Sequence, residues 1–278
     1  METVELKVNY VSAGLDDPHY QPTLSCFVPK YYDEMGRRNR GAVLICPGGG
    51  NDYCSEREAD PVALRFSGAG YAAFVLRYSC VDKKFMTALL ECAAAVKYIR
   101  ENAQEFDINP DKIFVMGFSA GGHLAACMAN LWNSQTLADV LGCQSEMLKV
   151  NGSVLGYSVI LSDPKLTHEG TIANLLEHKE NNELREFLSM DKRIGKQTPP
   201  TFLWHCADDG CVPVENSLYY MAQLSANHIP FEAHIFPSGG HGLALCDEST
   251  ATWEGHIQPR AAAWSELCIK WMNDEMKK

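Results

Sequence analysis

The chain has 278 residues, 46% of them hydrophobic and 21% charged, which is enough for one large α/β domain or two small ones. Its net charge of −11 repels polyphosphates, so nucleic acid is disfavoured as a partner and a neutral small molecule is compatible. The start METVELKVNYVSAG lacks the apolar segment of a signal peptide, and no run reaches the roughly 18 apolar residues that span a bilayer. With 11 cysteines, mostly inside apolar runs, we expect reduced thiols, a cytoplasmic protein and no membrane partner.

The first part of the chain alternates apolar runs with turn residues. ELKVNYV and TLSCFV have no helix between them, so we expect an antiparallel edge of a sheet. GAVLICPGGG predicts a buried strand over about 42–46 that stops at a proline and a glycine loop. Ser55 and Glu58 have capping-box spacing, which predicts a helix from about 56 to Gly68–Gly70.

The rest of the chain continues this alternation. YAAFVLRY predicts a strand, and the helical spacing of apolar residues from Phe85 to Ile99 predicts a helix over about 83–103. INPDKIFVMG predicts an Asn-Pro-Asp turn and a buried strand, and SAGGHLAACMANLW has a helical pattern. SVLGYSVIL, TFLWH and EAHIF predict further strands, and an amphipathic final helix includes Ala261 and Trp271. Strands that alternate with helices predict the α/β class, with a mostly parallel sheet and helices on both faces.

One interval departs from this alternation of strands and helices. About 40 residues separate SVLGYSVIL from TFLWH, including the charged amphipathic stretch LLEHKENNELREFL. Because a crossover needs fewer residues, we expect a cap inserted at about 162–198 within a single domain that covers residues 1–278. The alternative is a long crossover with helices on the surface.

The stretch VMGFSAGGH contains a serine between two glycines, where a strand (Lys112–Gly117) meets a helix that runs on from Ala120. G-x-S-x-G at such a junction forces the serine into a strained conformation and presents its Oγ at the carboxyl edge of the sheet. Positions 117 and 121 pass close to backbone, which only very small side chains permit. Ser119 is therefore a candidate nucleophile, and the alternative is a structural glycine turn with an incidental serine.

A serine nucleophile needs a base, and the base needs an acid that fixes its tautomer. Among the nine histidines we favour His241, which follows Gly-Gly in a loop after a strand. His123, His205 and His234 are better suited to packing, and His256 is held in reserve. The acid lies in the loop after TFLWHC, where Asp208 and Asp209 are both candidates on the residues alone.

The glycine-rich loop CPGGGNDY follows a strand well before the serine. Backbone N–H groups of Gly49 or Gly50, together with that of Ala120, form a candidate oxyanion hole for a tetrahedral intermediate. The competing interpretation, a phosphate-binding loop, lacks the Gly-Lys-Ser/Thr ending.

Taken together, these blocks resemble the α/β-hydrolase superfamily over nearly the whole chain. Within it the chain resembles acetyl esterase and xylan esterase-like carbohydrate esterases, a group that includes ferulic acid/acetyl esterases. The resemblance is carried by PGGG, EADPVALRFSGAGYAAFVLRYS, NPDKIFVMGFSAGGHLAA, TPPTFLWHCADDGCVPVENS and FPSGGHGLAL. It implies an α/β-hydrolase fold and a Ser119–Asp209–His241 triad, with Asp209 at the Asp-x-x-Val-Pro position.

Two departures from the family pattern matter. Pro47 stands where the esterase HGGG loop has its histidine, so other groups must support that loop. Cys206 and Cys211 flank the acid and Cys54 follows the glycine loop, but no C-x-x-C or His-rich spacing favours a metal. We therefore expect these thiols to be small packing residues, and we expect no metal and no cofactor.

The sequence thus predicts a serine esterase that hydrolyses short-chain esters, above all acetyl esters on sugars or oligosaccharides. A prolyl oligopeptidase-like peptidase is the alternative within hydrolases, although the chain has no room for the usual propeller. A non-catalytic ligand-binding relative is the alternative of another class, since a fold alone does not fix a function. The sequence leaves open whether the protein forms a homo-oligomer.

Overall fold

The computed structural model describes residues 2–16, 20–30, 32, 34, 39–80 and 85–278. Within them lies one eight-stranded sheet with the order β1-β2-β4-β3-β5-β6-β7-β8. The strands are β1 Glu2–Glu5, β2 Thr23–Phe27, β3 Arg40–Cys46, β4 Ala72–Arg77, β5 Ile108–Phe118, β6 Gly152–Gly156, β7 Thr201–Cys206 and β8 Phe231–Phe236. Neighbours from β4 to β8 pair in parallel, while β2 is antiparallel to both β1 and β4. The predicted sheet and its antiparallel edge are confirmed.

Helices cover both faces of this sheet, as the alternation predicts. They are α1 Asp60–Gly68, α2 Phe85–Glu101, α3 Ser119–Leu131, α4 Gln135–Leu141, α5 Glu169–Leu175, α6 Asn182–Phe187, α7 Glu215–Ala226, α8 Pro259–Ala262 and α9 Trp264–Met276. Leu44 and Val115 face one apolar core with α2 and α3, whereas Val43 and Met116 face another with α1 and α9. Because alternate residues of one strand enter different cores, the middle of β3 and the second half of β5 are apolar on both faces. In the described residues, no helix is both long and apolar enough to cross a membrane.

Several predicted boundaries differ from the structure. β1 ends at Glu5, and β5 begins at Ile108, so the predicted Asn-Pro-Asp turn lies in a strand. Pro110 is tolerated there because the register with β3 shifts between Arg40 and Ala42. The predicted start of α2 near residue 83 lies outside the described residues. The final helix is divided in two at Ala263.

Two further differences bear on the site. β6 stops at Gly156, because Tyr157 has a φ of 35° and the Val159 N–H donates to the Ser119 carbonyl instead of to a strand. The capping-box prediction is wrong: Ser55 makes no side-chain cap, residues 56–58 form a 3-10 turn and α1 begins at Asp60. The Glu58 carboxylate faces the glycine loop instead.

The interval between β6 and β7 contains α5, α6 and a 3-10 turn at Met190–Arg193. We call residues 162–198 the β6–β7 segment. His168, Gly170, Asn174 and His178 from this segment line a cavity at the carboxyl edge of the sheet. Its description as an inserted cap stays a prediction.

Candidate active site

Ser119 lies at the sharp junction where β5 ends at Phe118 and α3 begins. Its φ of 52° is positive, a conformation that costs a non-glycine residue about 1–3 kcal/mol and that clusters at functional sites. A Cβ atom on Gly117 would collide with the Gly121 carbonyl, and one on Gly121 would collide with the carbonyls of Cys46 and Pro47. The two glycines are therefore required by close backbone contacts, and the serine occupies the strained position between them.

His241 joins Ser119 to Asp209. The His241 Nε2 lies 2.9 Å from the Ser119 Oγ, and the His241 Nδ1 lies 2.7 Å from the Asp209 Oδ2. Asp209 follows β7 and His241 follows β8, so both residues lie beyond the carboxyl ends of neighbouring parallel strands. The structure brings all three predicted residues into one hydrogen-bonded chain, which has the geometry of a nucleophile, a base and an orienting acid.

Asp209 is a buried acceptor of four hydrogen bonds. Its Oδ1 accepts from the N–H groups of Cys211 and Val212, each at 2.9 Å, and its Oδ2 accepts from His241 and from the His205 Nε2 at 3.2 Å. Burial alone would raise the pKa of Asp209, but the hydrogen bonds from His205 and His241 outweigh it and hold the pKa well below its usual range. Asp209 therefore stays ionised and can stabilise an imidazolium at His241.

Asp208 has a different role from its neighbour. Its Oδ1 accepts from the N–H groups of Gly239 and Gly240, at 2.9 and 3.0 Å. Asp208 therefore fixes the loop that carries His241, whereas Asp209 contacts the imidazole itself.

The glycine loop is fixed through its carbonyl groups. The Pro47 carbonyl accepts from the Tyr78 hydroxyl at 2.7 Å, and the Gly48 carbonyl accepts from the Ser55 N–H at 2.9 Å. The Gly50 carbonyl accepts from the Asn174 Nδ2 at 2.9 Å, which connects the loop to the β6–β7 segment. Since buried backbone groups are normally paired, these contacts define one orientation for each peptide unit.

The N–H groups of this loop are directed elsewhere. The Gly48 N–H donates to the Glu58 Oε2 at 2.8 Å. The N–H groups of Gly49, Gly50 and Ala120 have no hydrogen-bond acceptor within the part of the chain that the structure describes. A Cβ on Gly48 would lie 2.9 Å from the Ser119 Cβ, so the loop and the serine are in close contact. These donors are available to an oxygen of a molecule bound beside Ser119.

Sequence reasoning missed three residues of the site. The spacing of Glu58 predicts a helix cap and not a contact with the glycine loop. The available signal is Pro47, which stands where the HGGG histidine would be and so implies that another group supports this loop. Tyr157 packs its ring edge-on against His241 with centroids 5.0 Å apart, and nothing in its local pattern distinguishes it from a strand residue. His168 faces the cavity, and its Nδ1 accepts from the Thr171 N–H.

Three of the histidines weighed in the sequence analysis make other contacts. His123 is buried and its Nε2 donates to the Leu188 carbonyl at 2.9 Å; burial lowers its pKa to about 4. The His205 Nδ1 is hydrogen-bonded to the Ser217 Oγ at 2.8 Å, which orients the ring so that its Nε2 donates to Asp209. His256 contacts Thr252 and Trp253 and takes no part in the hydrogen-bonded chain.

A cavity of about 660 Å³ opens above Ser119 and His241. Its wall combines polar and apolar surface in similar measure, and it is formed by the glycine loop, by five residues between positions 52 and 58, and by the β6–β7 segment. Among the residues that the structure describes, no group of three or more His, Cys, Asp or Glu side chains is arranged to hold a metal. Cys211 lines the cavity, Cys206 is buried, and the Cys54 Sγ lies 3.9 Å from the Cys80 Sγ.

A solved structure shares both the fold and much of the sequence. The acetyl ester-xyloside bifunctional hydrolase from Caldicellulosiruptor lactoaceticus is 32% identical with a TM-score of 0.83, covering 98% of this chain and 96% of that chain. The sheet, the serine junction and the loops after β7 and β8 define the α/β-hydrolase fold, as the resemblance implies. The profile of the BD-FAE family matches residues 31–224, and the chain belongs to this family.

Two curated relatives are similar over most of the chain. Endo-1,4-beta-xylanase B from Butyrivibrio fibrisolvens is 33% identical over 241 residues, which cover 82% of this chain and 37% of the relative. Acetylxylan esterase from Xylanibacter ruminicola is 27% identical over 226 residues, covering 79% of this chain and 43% of the relative. The chain spans less than half the length of these two relatives.

Proposed function

We propose that the protein is a serine esterase that hydrolyses short-chain carboxylic esters, above all acetyl esters of sugars or oligosaccharides. The observation that carries this proposal is the hydrogen-bonded chain from Ser119 through His241 to Asp209, at 2.9 and 2.7 Å. The similarity to an acetyl ester-xyloside hydrolase and an acetylxylan esterase supports the choice of substrate. The wall of the cavity includes polar side chains such as Asp52, His168 and Asn174, which can form hydrogen bonds to the hydroxyl groups of a sugar.

In the first half of the reaction the Ser119 Oγ attacks the carbonyl carbon while the His241 Nε2 takes its proton. The carbonyl oxygen becomes an oxyanion that accepts from the free N–H groups of Gly49, Gly50 and Ala120. Asp209 stabilises the imidazolium. His241 then protonates the departing alcohol oxygen, the carbon–oxygen bond to the alcohol breaks, and the acyl group stays on Ser119.

In the second half water replaces the alcohol. His241 takes a proton from the water, whose oxygen attacks the acyl carbon of the ester on Ser119, and the same N–H groups stabilise the second oxyanion. The bond to Ser119 breaks as His241 returns the proton to its Oγ. The acid leaves and the free hydroxyl is restored.

The β6–β7 segment is, in this proposal, a small cap over the site within a single hydrolase domain. Its residues His168, Asn174 and His178 line the same cavity as Ser119. The cytoplasmic location remains our inference from the sequence. All 11 cysteines are free thiols, which suits a reducing compartment.

The test is a panel of acetyl, butyryl and feruloyl aryl esters and acetylated xylo-oligosaccharides, with Ser119→Ala as the control. We expect turnover of acetyl esters, covalent labelling of Ser119 by a fluorophosphonate, and acetate release from the oligosaccharides. Wild-type protein that neither cleaves aryl acetates nor is labelled would overturn the chemistry. Cleavage of aryl acetates without acetate release from oligosaccharides would overturn only the substrate.

A further inference from the structure

Glu58 is a buried acid, 3% exposed, with no basic partner within ion-pair distance in the described parts of the chain. A buried carboxylate without such a partner is costly, so its environment must supply donors. It does so twice: the Gly48 N–H donates to Oε2 at 2.8 Å, and the Tyr157 hydroxyl donates to Oε1 at 2.7 Å. Each oxygen therefore has one donor.

Tyr157 continues this link to the other side of the site. Its hydroxyl oxygen accepts from the Ala244 N–H at 2.9 Å, in the loop that carries His241, and its hydroxyl hydrogen is left to donate to Glu58. Burial, and next the proximity of Glu58, raise the pKa of Tyr157 well above its usual value, so the hydroxyl remains protonated. Its ring also packs edge-on against His241.

We propose that Glu58 and Tyr157 are positioning residues that fix the glycine loop relative to His241. We call this loop the oxyanion loop, because it carries the proposed donors of Gly49 and Gly50. The two residues would take the place of the histidine in the esterase HGGG loop. This inference rests on the proposed function. One continuous path runs from the Gly48 N–H through Glu58 and Tyr157 to the Ala244 N–H. The same Pro47–Gly48 peptide is held on its other side by the Tyr78 hydroxyl.

The chemistry of the link requires a carboxylate at position 58. Both neighbours are donors, and among the described residues Glu58 is the acceptor for the Tyr157 hydroxyl hydrogen, while the Tyr157 oxygen accepts from the Ala244 N–H. Glutamine has one acceptor oxygen and one donor nitrogen, so Glu58→Gln places two donors against each other at Gly48 or at Tyr157. An unmade hydrogen bond in a buried site displaces its neighbours, and oxyanion donors act only when correctly placed.

The variants Glu58→Gln and Tyr157→Phe test the proposal in the full chain, with p-nitrophenyl acetate as the substrate. Burst titration with a fluorophosphonate first gives the concentration of reactive Ser119, so that kcat is expressed per active site. We expect kcat to fall roughly 10–100-fold in Glu58→Gln and about 10-fold in Tyr157→Phe, with KM within a factor of about 3. The double variant is expected to match Glu58→Gln alone, because both changes break one link.

A second readout separates positioning from plain structural support. A boronic acid that forms a tetrahedral adduct on Ser119 is expected to lose affinity in parallel with kcat/KM, while product alcohol binding stays constant. Matched controls are Glu56→Gln, two residues away on the surface beside Arg77, and Tyr71→Phe, whose hydroxyl donates to Asn273. Both controls are expected to keep wild-type kcat.

Two outcomes would overturn the proposal. One is a kcat per active site that is unchanged or raised in both variants, which would mean that removing the link does not misplace the donors. The other is an equal loss in the matched controls. Failure of the proposed function would be distinguishable from these outcomes, since an inactive wild-type protein with an unlabelled Ser119 would reject that function before any variant is compared.

Discussion

The carboxyl edge of the sheet and the β6–β7 segment both line the cavity, but they hold their polar groups differently. At the sheet edge each reactive group has its conformation imposed by buried hydrogen bonds, as Asp209 has from Cys211 and Val212. In the β6–β7 segment, His168 is half-buried and is held by Thr171, within its own element. In the proposed function, the first region sets the geometry of the reaction, and the second offers side chains to the part of the substrate that does not react.

The protonation of His168 fits this division. Its Nδ1 accepts from the Thr171 N–H, which leaves the proton of a neutral ring on Nε2. Burial, and next the proximity of His241, lower the pKa of His168, so the ring stays neutral near pH 7. It is therefore a hydrogen-bond donor toward the cavity and does not compete with His241 as a base.

The largest effect is expected from Asp209→Asn at the sheet edge. Asparagine keeps the shape but turns an amide toward His241 or loses the charge that stabilises its imidazolium, so kcat for p-nitrophenyl acetate is expected to fall about 10⁴-fold. Steady-state kinetics with titrated active sites measure it. The matched control is Asp208→Asn, which keeps an oxygen for the Gly239 and Gly240 N–H groups and is expected to cost no more than about 10-fold. Equal losses in both variants would contradict the separate roles.

Asp208 and Asp209 also illustrate how far the site can be predicted from the sequence. The strand–serine–helix junction and the His241 loop follow from local pattern, because glycine spacing and strand ends are local properties. The residues alone left Asp208 and Asp209 open, since a shift of one position decides which carboxylate reaches the imidazole. The choice came from the family resemblance.

The side chains that support the oxyanion loop cannot be predicted from local sequence pattern. Glu58 has the spacing of a capping residue, and only the folded chain brings it to Gly48 and to Tyr157, 99 positions later. Likewise Asn174 meets Gly50 across 124 positions. Contacts of this kind depend on the packing of distant elements, which hydrophobic periodicity does not encode.

The second prediction concerns Gly49, in the oxyanion loop. Its φ is 123° and a Cβ atom would collide with the Tyr53 carbonyl, so Gly49→Ala is expected to shift the loop and lower kcat by roughly 10²–10³-fold. Gly70→Ala is the control, because Gly70 also has a positive φ, 99°, but nothing lies within 4 Å of its Cβ position. Thermal unfolding together with kinetics distinguishes the two. If Gly70→Ala reduced kcat as much, backbone strain alone would explain the loss.

The third prediction concerns the hydrogen bond by which the Asn174 side chain joins the β6–β7 segment to the glycine loop. Asn174→Leu keeps the size of the side chain and removes the donor to the Gly50 carbonyl, which frees one peptide of the oxyanion loop. We expect kcat for p-nitrophenyl acetate to fall about 10-fold. Asn182→Leu, in α6 of the same segment, is the control. A wild-type kcat in Asn174→Leu would mean that the loop is fixed without the β6–β7 segment.

The fourth prediction isolates the β6–β7 segment from the chemistry. His168→Phe retains a ring and removes the Nε2–H donor, so KM for acetylated xylo-oligosaccharides is expected to rise about 5-fold. The kcat/KM for p-nitrophenyl acetate, which has no sugar hydroxyls, is expected to stay within about 2-fold. Equal effects on both substrates would show that His168 acts on the reaction centre instead of on the sugar.

The smallest effect on activity is expected at His123, which joins α3 to the β6–β7 segment through the Leu188 carbonyl. Burial lowers its pKa to about 4 in the folded protein, so the unfolded chain binds its proton more readily than the folded chain does. The free energy of unfolding is therefore expected to fall as the pH decreases through the unfolded value near 6.5. Between pH 7 and pH 5, protonation of this histidine in the unfolded chain is expected to lower the free energy of unfolding by on the order of 2 kcal/mol.

Urea unfolding at pH 7 and pH 5 measures this change in the free energy of unfolding, and His123→Gln is the variant that cannot titrate at this position. The window lies above the usual range of carboxylates, so the depressed pKa of Asp209 contributes little within it. We expect the wild type to lose more stability than His123→Gln over this interval, while kcat at pH 7 stays within about 2-fold. Equal losses in both proteins would mean that the folded protein binds a proton at His123 as readily as the unfolded chain does. The pH dependence would then have to come from other histidines, His168 first among them because burial also lowers its pKa.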